Sequence, residues 1–307
     1  MSKNGSGILR QRPATPWLYL LPSLIVMTIF IVYPGLNTFY LSLRNIDNTS
    51  WASTACKAGE ACWGVFENYH YALTSTIMQT AFLNNIKWIL LMVSGTVAMG
   101  LLIAVLADRV RYEAFAKAII FLPMAISFVG AGVIWKFMYN YDTGQVQIGL
   151  LNAIVTSFGG KAVSWLTEPQ INTIALIIVG VWMWTGFCMT ILAAALKGVP
   201  TEILEAARVD GANEWMVFWR IMVPQILPTI TVVITTMVIN VLKIFDIVYV
   251  MTGGNYGTEV IANRLYTEMY KNFQPGRASA IAVVLILVII PAMIMNIRRF
   301  NEQEATR

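Results

Sequence analysis

Long apolar stretches alternate with shorter polar ones along the whole chain. Six of the apolar stretches are long enough to cross a bilayer, which requires about 20 residues in a helix. They cover about residues 17–43, 82–107, 118–138, 173–196, 226–250 and 278–297. The pattern predicts an all-α membrane protein with six transmembrane helices, polar tails at 1–16 and 298–307, and a long polar connection at about 197–225.

The first apolar stretch must be distinguished from a secretory signal peptide. It is longer than the apolar region of such a peptide, which is about 7–15 residues, and no convincing small-residue cleavage site follows it. We therefore expect an uncleaved first span, with Pro34 as a candidate kink in its outer half.

Composition supports the membrane assignment. The chain has 307 residues, of which 57% are hydrophobic and 12% charged, with a mean hydropathy of +0.65. A soluble domain does not bury that much apolar surface. The net charge of +5 therefore does not indicate a nucleic-acid partner, because basic residues accumulate at the cytoplasmic ends of membrane spans.

Basic residues are distributed unequally between the two sides of the predicted bundle. The side with both termini and the connection at 197–225 carries twelve Lys and Arg residues, against six on the other side. Cytoplasmic segments carry the excess of Lys and Arg in membrane proteins. Both termini and the long connection are therefore predicted to be cytoplasmic.

Two of the three cysteines lie in the first polar loop on the opposite side. Cys56 and Cys62 are six residues apart, which allows a disulfide, and an outer loop meets an oxidising compartment. A disulfide and two free thiols both remain open, since the geometry is unknown. The third cysteine, Cys188, lies within a span and is expected to be a small core residue.

The connection at 197–225 has the pattern of two short helices joined by a turn. Thr201 and Glu202 begin the first helix, with an acid in its first turn. Gly211 is placed to end that helix at positive φ, and Asn213 to cap the second. The second helix carries aromatic and apolar residues with helical spacing at Trp215, Phe218, Trp219 and Met222. Such a pair could lie at the membrane surface and offer a small-residue face to a partner.

The fifth apolar stretch is the most polar of the six. It carries Asn240, Lys243 and Asp246, and an ionisable residue at the centre of a span costs about 2.5–3.5 kcal/mol on insertion scales. Lys243 and Asp246, three residues apart, would be neighbours on one helix. They form either a structural ion pair near the outer interface or part of the polar lining of a transport cavity. For Asn240 itself, a place in the cavity lining is favoured.

A long motif in the connection resembles that of a known family. The spacing EAA-x2-DGA-x8-I-x2-P is carried by Glu205, Ala206, Ala207, Asp210, Gly211, Ala212, Ile221 and Pro224. It resembles the coupling loop of permease subunits in bacterial binding-protein-dependent ABC importers. An isolated amphipathic helix without a partner explains the fixed spacing poorly. Residues 121–137 and 194–215 resemble more narrowly the first permease subunit of α-glucoside and glucosylglycerol importers.

The resemblance implies a type I importer permease with six transmembrane helices and a cytoplasmic coupling helix. It implies a second permease subunit, two ATP-binding subunits, a periplasmic solute-binding protein, and a carbohydrate substrate in the membrane. No G-x-x-x-x-G-K-[ST] motif occurs in the chain, so ATP and its Mg²⁺ are expected on the partner subunits, with no cofactor here. The location implied is the bacterial inner membrane.

The same resemblance assigns roles to individual residues. Glu205, Ala206, Ala207, Asp210, Gly211 and Ala212 are expected to contact the ATPase. The run FD-x-VYVMTGG beginning at Phe245 resembles the segment that follows the substrate-contacting part of the fifth span. This makes Asn240 and Lys243 the first substrate candidates, with Asp246, Trp184 and Thr185 after them. Tryptophan faces suit sugar rings, although core packing is the commoner role of a tryptophan in a span.

Two other classes of protein remain to be weighed. An ion-coupled secondary transporter needs intramembrane acids and often shows an inverted repeat. Asp246 is the one plausible intramembrane acid, and no repeat is evident. A membrane enzyme needs a converging catalytic set, but His70 is the single histidine and lies in an outer loop.

Overall fold

A computed structural model describes residues 15–45, 62–63, 65–108, 110–144 and 147–305. The regular secondary structure of the described part is helical apart from one two-residue antiparallel pair, in which Arg44–Asn45 (β1) faces Cys62–Trp63 (β2). The α-helices are α1 Thr15–Met27, α2 Tyr33–Ser42, α3 Val65–Thr74, α4 Thr76–Trp88, α5 Ser94–Asp108, α6 Glu113–Phe121, α7 Phe128–Met138, α8 Leu150–Ser157, α9 Asn172–Lys197, α10 Thr201–Val209, α11 Glu214–Val217, α12 Val223–Leu242, α13 Asp246–Met251, α14 Ile261–Tyr266 and α15 Pro275–Ala305.

Short π-helical segments join several of these helices into longer rods. They lie at Thr28–Val32, Ile89–Val93, Phe218–Met222 and Thr267–Lys271. The resulting helices that are long and apolar enough to cross a membrane are Trp17–Ser42, Thr76–Asp108, Asn172–Lys197, Glu214–Leu242 and Pro275–Arg298. The fourth of these begins at Glu214, inside the connection predicted at 197–225, so that connection is shorter than predicted.

The first long helix packs against the rest of the described chain chiefly through α2, which contacts α15. No residue in its apolar window is buried, so its apolar side chains face lipid or another subunit. Pro34 lies in the first turn of α2, directly after the π-helical turn at Thr28–Val32. A proline is tolerated there because the π-helical turn has already shifted the backbone hydrogen-bond pattern of the helix, and the helix continues to Ser42.

Helix α9 lies at the centre of the bundle and approaches its neighbours through glycines. A Cβ at Gly100 on α5 would lie 2.8 Å from Cβ of Cys188 on α9. A Cβ at Gly186 would lie 2.6 Å from the carbonyl oxygen of Ile120, at the end of α6. Membrane helices pack closely where small residues let the backbones meet, because lipid supplies no hydrophobic drive for association. Cys188 is accordingly a fully buried core residue.

The third predicted span, 118–138, is not one helix. Glu113–Ala125 and Phe128–Met138 meet at an angle of 97°, so the bundle has six spans only if this bent pair is counted as one. Pro123 lies in a 3₁₀ turn at Leu122–Ala125, and Ser127 starts α7 by accepting a hydrogen bond from the Gly130 amide at 3.0 Å. The proline withholds a backbone donor and the serine caps a new helix, which together produce the bend.

The fifth predicted span, 226–250, is also interrupted. Its helix ends at Leu242, Lys243 lies outside helical geometry, and α13 starts anew at Asp246. On the inner side of this break, Asn296 of α15 donates from Nδ2 to Oγ1 of the buried Thr235 of α12 at 2.9 Å. This hydrogen bond joins two long apolar helices at a position where an unpaired polar group would be costly.

Candidate coupling and transport sites

The turn between α10 and α11 is built from backbone hydrogen bonds that need a glycine. The Ala212 amide donates to the Ala207 carbonyl at 3.0 Å, and the Gly211 amide donates to the Arg208 carbonyl at 3.1 Å. Gly211 has φ +87°, which completes the glycine-terminated helix end known as the Schellman motif. Asn213 then caps α11 by accepting from the Met216 amide at 2.8 Å. The predicted helix–turn–helix is therefore present, with Gly211 and Asn213 in the predicted conformations.

The coupling segment, defined here as residues 198–222, lies largely outside the packed bundle. Glu205, Ala206, Asp210 and Gly211 are exposed, and Ala207 and Ala212 are half-buried. Val209 is 88% exposed and Trp215 is 71% exposed, although both are large apolar residues. An exposed apolar surface of this kind, interspersed with acids, is typical of a surface that another protein covers. The structure brings all six predicted coupling residues to this one projecting element.

Ion pairs fix the base of α9, from which the coupling segment departs. Lys197 Nζ lies 2.6 Å from Oε1 of Glu113 and 3.6 Å from Oδ1 of Asp108. Glu113 also pairs with Lys117 one turn further along α6. Lys117 and Lys197 are among the basic residues that predict the orientation of the bundle. Their meeting with Asp108 and Glu113 depends on three helices that the sequence does not place together. They connect the ends of α5, α6 and α9.

A cavity of about 550 Å³ separates the coupling segment from the bundle. Its walls come from α5, α9, α10 and the start of the long helix Glu214–Leu242, and include Val105, Leu196, Leu204, Phe218 and Met222. The coupling segment continues into α9 and α12 at its two ends, and between them Leu204 packs against the core of the bundle and Val217 is buried. An element attached in this way can tilt as a unit and displace both helices.

The substrate candidates on α9 fall on two different faces of that helix. Trp184 stacks on Phe128 of α7 with ring centroids 5.8 Å apart, and it meets Phe187 edge-on at 5.6 Å. Thr185 is buried, and its hydroxyl donates to the Val181 carbonyl at 2.6 Å. The half-buried aromatic group of Trp184, Phe128 and Phe187 presents ring surface, whereas Thr185 has its hydrogen bond satisfied within its own helix.

The substrate candidates after α9 are separated by the break in the fifth span. Asn240 is half-buried on α12 and donates from Nδ2 to the Thr236 carbonyl at 3.0 Å. Lys243 is exposed at the end of α12, and Asp246 begins α13. Among the ion pairs of the described residues, none joins Lys243 to Asp246, so the interpretation of these two as helical neighbours in a structural pair is wrong. The predicted Cys56–Cys62 bond stays a prediction, because Cys56 lies outside the described residues.

A buried polar triad on the opposite side of the bundle escaped the sequence analysis. Tyr71 of α3 donates to Oε1 of Glu268 at 2.6 Å and accepts from Nε of Arg264 at 2.8 Å. Arg264 also pairs directly with Glu268. Burial, followed by the hydrogen bond to Glu268 and the negative charge of that residue, raises the pKa of Tyr71 to about 12. Tyr71 and Glu268 are far apart in sequence, so no local pattern could have linked them.

The adjoining loop, residues 252–260, is held on α4 by asparagine side chains. Asn84 donates from Nδ2 to the carbonyls of Gly257 at 2.6 Å and Glu259 at 2.9 Å. Asn85 accepts from the Ile261 amide at 3.0 Å. Burial raises the pKa of Glu259, and hydrogen bonds from Asn263 and the Val260 amide oppose that effect. The loop is therefore an ordered part of the bundle.

The bundle of long apolar helices and the projecting coupling segment are those of a multi-pass membrane protein. Residues 96–300 match the family described as "Binding-protein-dependent transport system inner membrane component", and the chain belongs to this family of ABC importer permeases. It is a transport subunit, and ATP hydrolysis in such importers takes place on separate subunits. The ion-coupled alternative finds no support in these comparisons.

Relatives of known name match almost the whole chain. It is 54% identical to the "osmoprotective compounds uptake permease protein GgtC" of Synechocystis, with 94% of this chain and 100% of the relative covered. It is 45% identical to the "alpha-glucoside transport system permease protein AglF" of Rhizobium meliloti, covering 94% of this chain and 83% of the relative. The resemblance to permeases of this branch is thereby confirmed.

Solved structures confirm the fold. A chain from the crystal structure of a bacterial ABC transporter involved in the import of the acidic polysaccharide alginate aligns with a TM-score of 0.73 at 23% identity, covering 92% of this chain and 95% of that one. A chain from the crystal structure of a bacterial alginate ABC transporter in complex with alginate pentasaccharide-bound periplasmic protein aligns with a TM-score of 0.72 at 22% identity, covering 92% of each chain. The type I importer permease fold is therefore shown.

Proposed function

We propose that this chain forms one half of the path by which an ATP-driven importer moves a neutral glycoside, such as an α-glucoside or a polyol glycoside, into the cell. The observation that carries the proposal is the match over 94% of the chain to a permease named for osmoprotective compounds. The second relative, named for α-glucosides, supports the same class of solute. The α-glucosides of the second name carry many hydroxyl groups, and the first name gives the role of the solutes and not their chemistry.

The implied assembly contains a second permease subunit, two ATP-binding subunits that hold ATP and Mg²⁺, and a periplasmic solute-binding protein. The chain lies in the bacterial inner membrane with both termini in the cytoplasm. The excess of Lys and Arg on the side of the termini supports this orientation. In this arrangement the coupling segment faces the ATPases, and the Tyr71–Glu268 side of the bundle faces the periplasm.

Coupling and solute contact are proposed for separate groups of residues. Glu205, Ala206, Ala207, Asp210, Gly211 and Ala212 contact the ATPase and transmit its closure through the ends of α9 and α12. Asn240 and the aromatic group around Trp184 contact the solute in the membrane, with Lys243 at the outer end of the path. Apolar ring faces suit the C–H faces of sugar rings, and a half-buried amide suits their hydroxyl groups.

Uptake by the assembled importer tests the proposal. The chain is coexpressed with its partner subunits, purified, and reconstituted with the binding protein. Sucrose, trehalose, glucosylglycerol and an alginate oligosaccharide are then compared as labelled solutes. ATP-dependent uptake of a neutral glycoside, with no uptake of the acidic one, is the expected result. Failure of any ATPase to copurify, or uptake that an ion gradient drives without ATP, would overturn it.

A further inference from the structure

A polar cavity of about 400 Å³ lies beside the loop 252–260 and has no role in the function described so far. Its walls come from α4, this loop, α14 and the π-helical segment Thr267–Lys271. We name it the loop cavity. The polar residues of its lining include Thr80, Asn255, Glu259, Arg264 and Lys271.

Contacts of α9 show at which end of the bundle the loop cavity lies. Asn172, the first residue of α9, donates from Nδ2 to the carbonyl of Tyr256 in the loop 252–260 at 2.8 Å. The coupling segment departs from the other end of the same helix, after Lys197. A helix of 26 residues is about 39 Å long. The loop cavity is therefore far from the coupling segment, on the side that the proposed function assigns to the periplasm.

Glu259 brings a carboxylate with fixed orientation to the loop cavity. It is 8% exposed, and its Oε1 accepts hydrogen bonds from Nδ2 of Asn263 at 2.5 Å and from the Val260 amide at 3.2 Å. Both hydrogen bonds that the described residues make to this side chain end on Oε1. The second oxygen, Oε2, therefore remains available to an occupant of the cavity.

Lys271 brings an ammonium group to the same cavity. It is exposed, and none of the ion pairs among the described residues includes Lys271 or Glu259. Arg264, by contrast, is paired with Glu268. The two unpaired side chains of the lining carry opposite charges, which balance when Glu259 is ionised. The cavity thus offers a hydrogen-bond acceptor and a donor without a large net charge.

Aromatic rings connect Lys271 with the break in the fifth span. Nζ of Lys271 lies 5.2 Å from the centre of the Tyr249 ring, and Tyr249 stacks on Phe245 with ring centroids 5.0 Å apart. Tyr266 of α14 contacts both rings, at 5.0 and 5.2 Å. All three aromatic residues are half-buried, and Phe245 follows Lys243 by two residues. Ring surface therefore extends from the loop cavity to the end of α12.

These groups suit an uncharged molecule with many hydroxyl groups. A carboxylate accepts hydrogen bonds from hydroxyls, an ammonium group donates to them, and aromatic faces suit the C–H faces of sugar rings. We propose that the loop cavity is an entry subsite, in which a glycosyl unit of the solute hydrogen-bonds to Glu259 and Lys271. From there the solute passes along the aromatic rings to the contacts on α12. This inference rests on the proposed function and adds a second solute site to it.

Ions fit the loop cavity less well than a sugar does. Among the described residues there is no group of three or more His, Cys, Asp and Glu that could hold a metal ion, and Lys271 would repel a cation. An anion would pair with Lys271 but meet the carboxylate of Glu259. A hydroxyl group avoids this conflict because it both donates and accepts. The volume of about 400 Å³ lies within the range of about 300–1,000 Å³ that is usual for small-molecule sites.

The test measures how much solute is imported for each ATP hydrolysed above the basal rate. The complete importer is reconstituted with its binding protein as wild type, Lys271→Gln, Glu259→Gln and the matched control Lys161→Gln. Lys161 is an exposed lysine in the loop before α9, on the same side of the bundle. The labelled solute is whichever of trehalose, sucrose and glucosylglycerol the wild type imports fastest. Defects in assembly or docking lower uptake and stimulated hydrolysis together, so the ratio isolates the entry of the solute.

We expect the ratio of solute to ATP to fall about tenfold in Lys271→Gln and in Glu259→Gln, as for loss of one hydrogen bond to a charged group. Lys161→Gln is expected to keep the wild-type ratio. Should Glu259→Gln fail to assemble because its carboxylate is buried, Lys271→Gln changes an exposed residue and still decides. A wild-type ratio in assembled Lys271→Gln, or an equal loss in Lys161→Gln, would overturn this inference and leave the proposed function intact. A wild-type importer that takes up an acidic oligosaccharide and no neutral glycoside would overturn both.

Discussion

Arg208 and Glu214 face each other across the turn at Gly211 and form a two-point ion pair. Nε of Arg208 lies 2.8 Å from Oε1 of Glu214, and Nη2 lies 3.4 Å from Oε2. One residue belongs to α10 and the other begins α11, so the pair sets the angle between the two coupling helices. Planar guanidinium and carboxylate groups that meet in this way restrict orientation more than a single contact does.

The Arg208–Glu214 pair is expected to affect coupling more than stability. Both side chains are about half exposed, and exposed pairs contribute little to stability. We therefore expect Arg208→Gln to leave the Tm of the complex unchanged while lowering ATPase stimulation by loaded binding protein about two- to fivefold. Exchanging the charges, with Arg208→Glu and Glu214→Arg together, should restore stimulation. A double variant no better than the single one would show that the pair does not set the angle.

Gly211 provides a sharper test of the same segment. A β-branched residue at φ +87° is strained by about 1–3 kcal/mol, although nothing lies within 4 Å of a Cβ built there. We expect Gly211→Val to insert into the membrane but to abolish uptake, with loss of the ATPases or of their stimulation. Gly159→Val is the matched control, because Gly159 has φ +79° and the same open surroundings in a loop outside the coupling segment. Normal copurification and stimulation in Gly211→Val would exclude this segment as the coupling element.

The solute contacts are tested on α12 and at its outer end. Asn240→Ala and Lys243→Ala are expected to lower uptake kcat/KM about two- to tenfold, as for loss of one or two hydrogen bonds to a neutral solute, or to change solute preference. The yield of folded protein should be unchanged in Lys243→Ala and in Asp246→Asn, because the two residues do not form an ion pair. Thr185→Val serves as the control, since its hydroxyl is satisfied within α9. Unchanged kinetics in both Asn240→Ala and Lys243→Ala would exclude these contacts.

The triad of Tyr71, Arg264 and Glu268 predicts a distinct dependence of stability on pH. The tyrosine pKa is raised from 10 in the unfolded chain to about 12 in the fold, so the folded state retains a proton that the unfolded state releases. The stabilisation is complete below pH 10 and is lost between about pH 10 and 12. We expect Tyr71→Phe to be less stable by about 1 kcal/mol at pH 8, with the difference shrinking above pH 10. Thermal unfolding of wild type and Tyr71→Phe between pH 8 and 12 measures this difference in stability. A difference independent of pH would show that the Tyr71 proton is not involved.

Local signals in the sequence were sufficient for the coupling segment. Gly211 and Asn213 specify a helix end and a helix start through their own backbone and side-chain chemistry, and both occur as predicted. The bend before α7 also had local signals in Pro123 and Ser127, but the apolar run across them favoured one continuous span. Apolar content reports whether a segment can enter a membrane and not whether it is straight.

Other features depend on contacts that no local pattern encodes. The helix before Lys243 ends without Gly or Pro, at a point where Asn85 of a distant helix donates to the Leu242 carbonyl at 3.5 Å. Because α12 ends at Leu242, Lys243 and Asp246 do not lie on one continuous helix. Likewise, Tyr71 of α3 and Glu268 of the π-helical segment Thr267–Lys271 meet only because both segments pack against α15. Such sites need the assembled bundle before they can be recognised.

The glycine contacts of α9 determine which helices can move independently. Gly100 and Gly186 bring α9 so close to α5 and to the end of α6 that sliding or rolling between these helices would drive backbone atoms into one another. The three helices α5, α6 and α9 are therefore held against one another and are expected to turn as one body. Between α12 and α15, the hydrogen bond from Asn296 to Thr235 joins side chains and tolerates small rotations. A displacement that arrives through the coupling segment thus reaches one stiff body through α9 and a more compliant pair through α12.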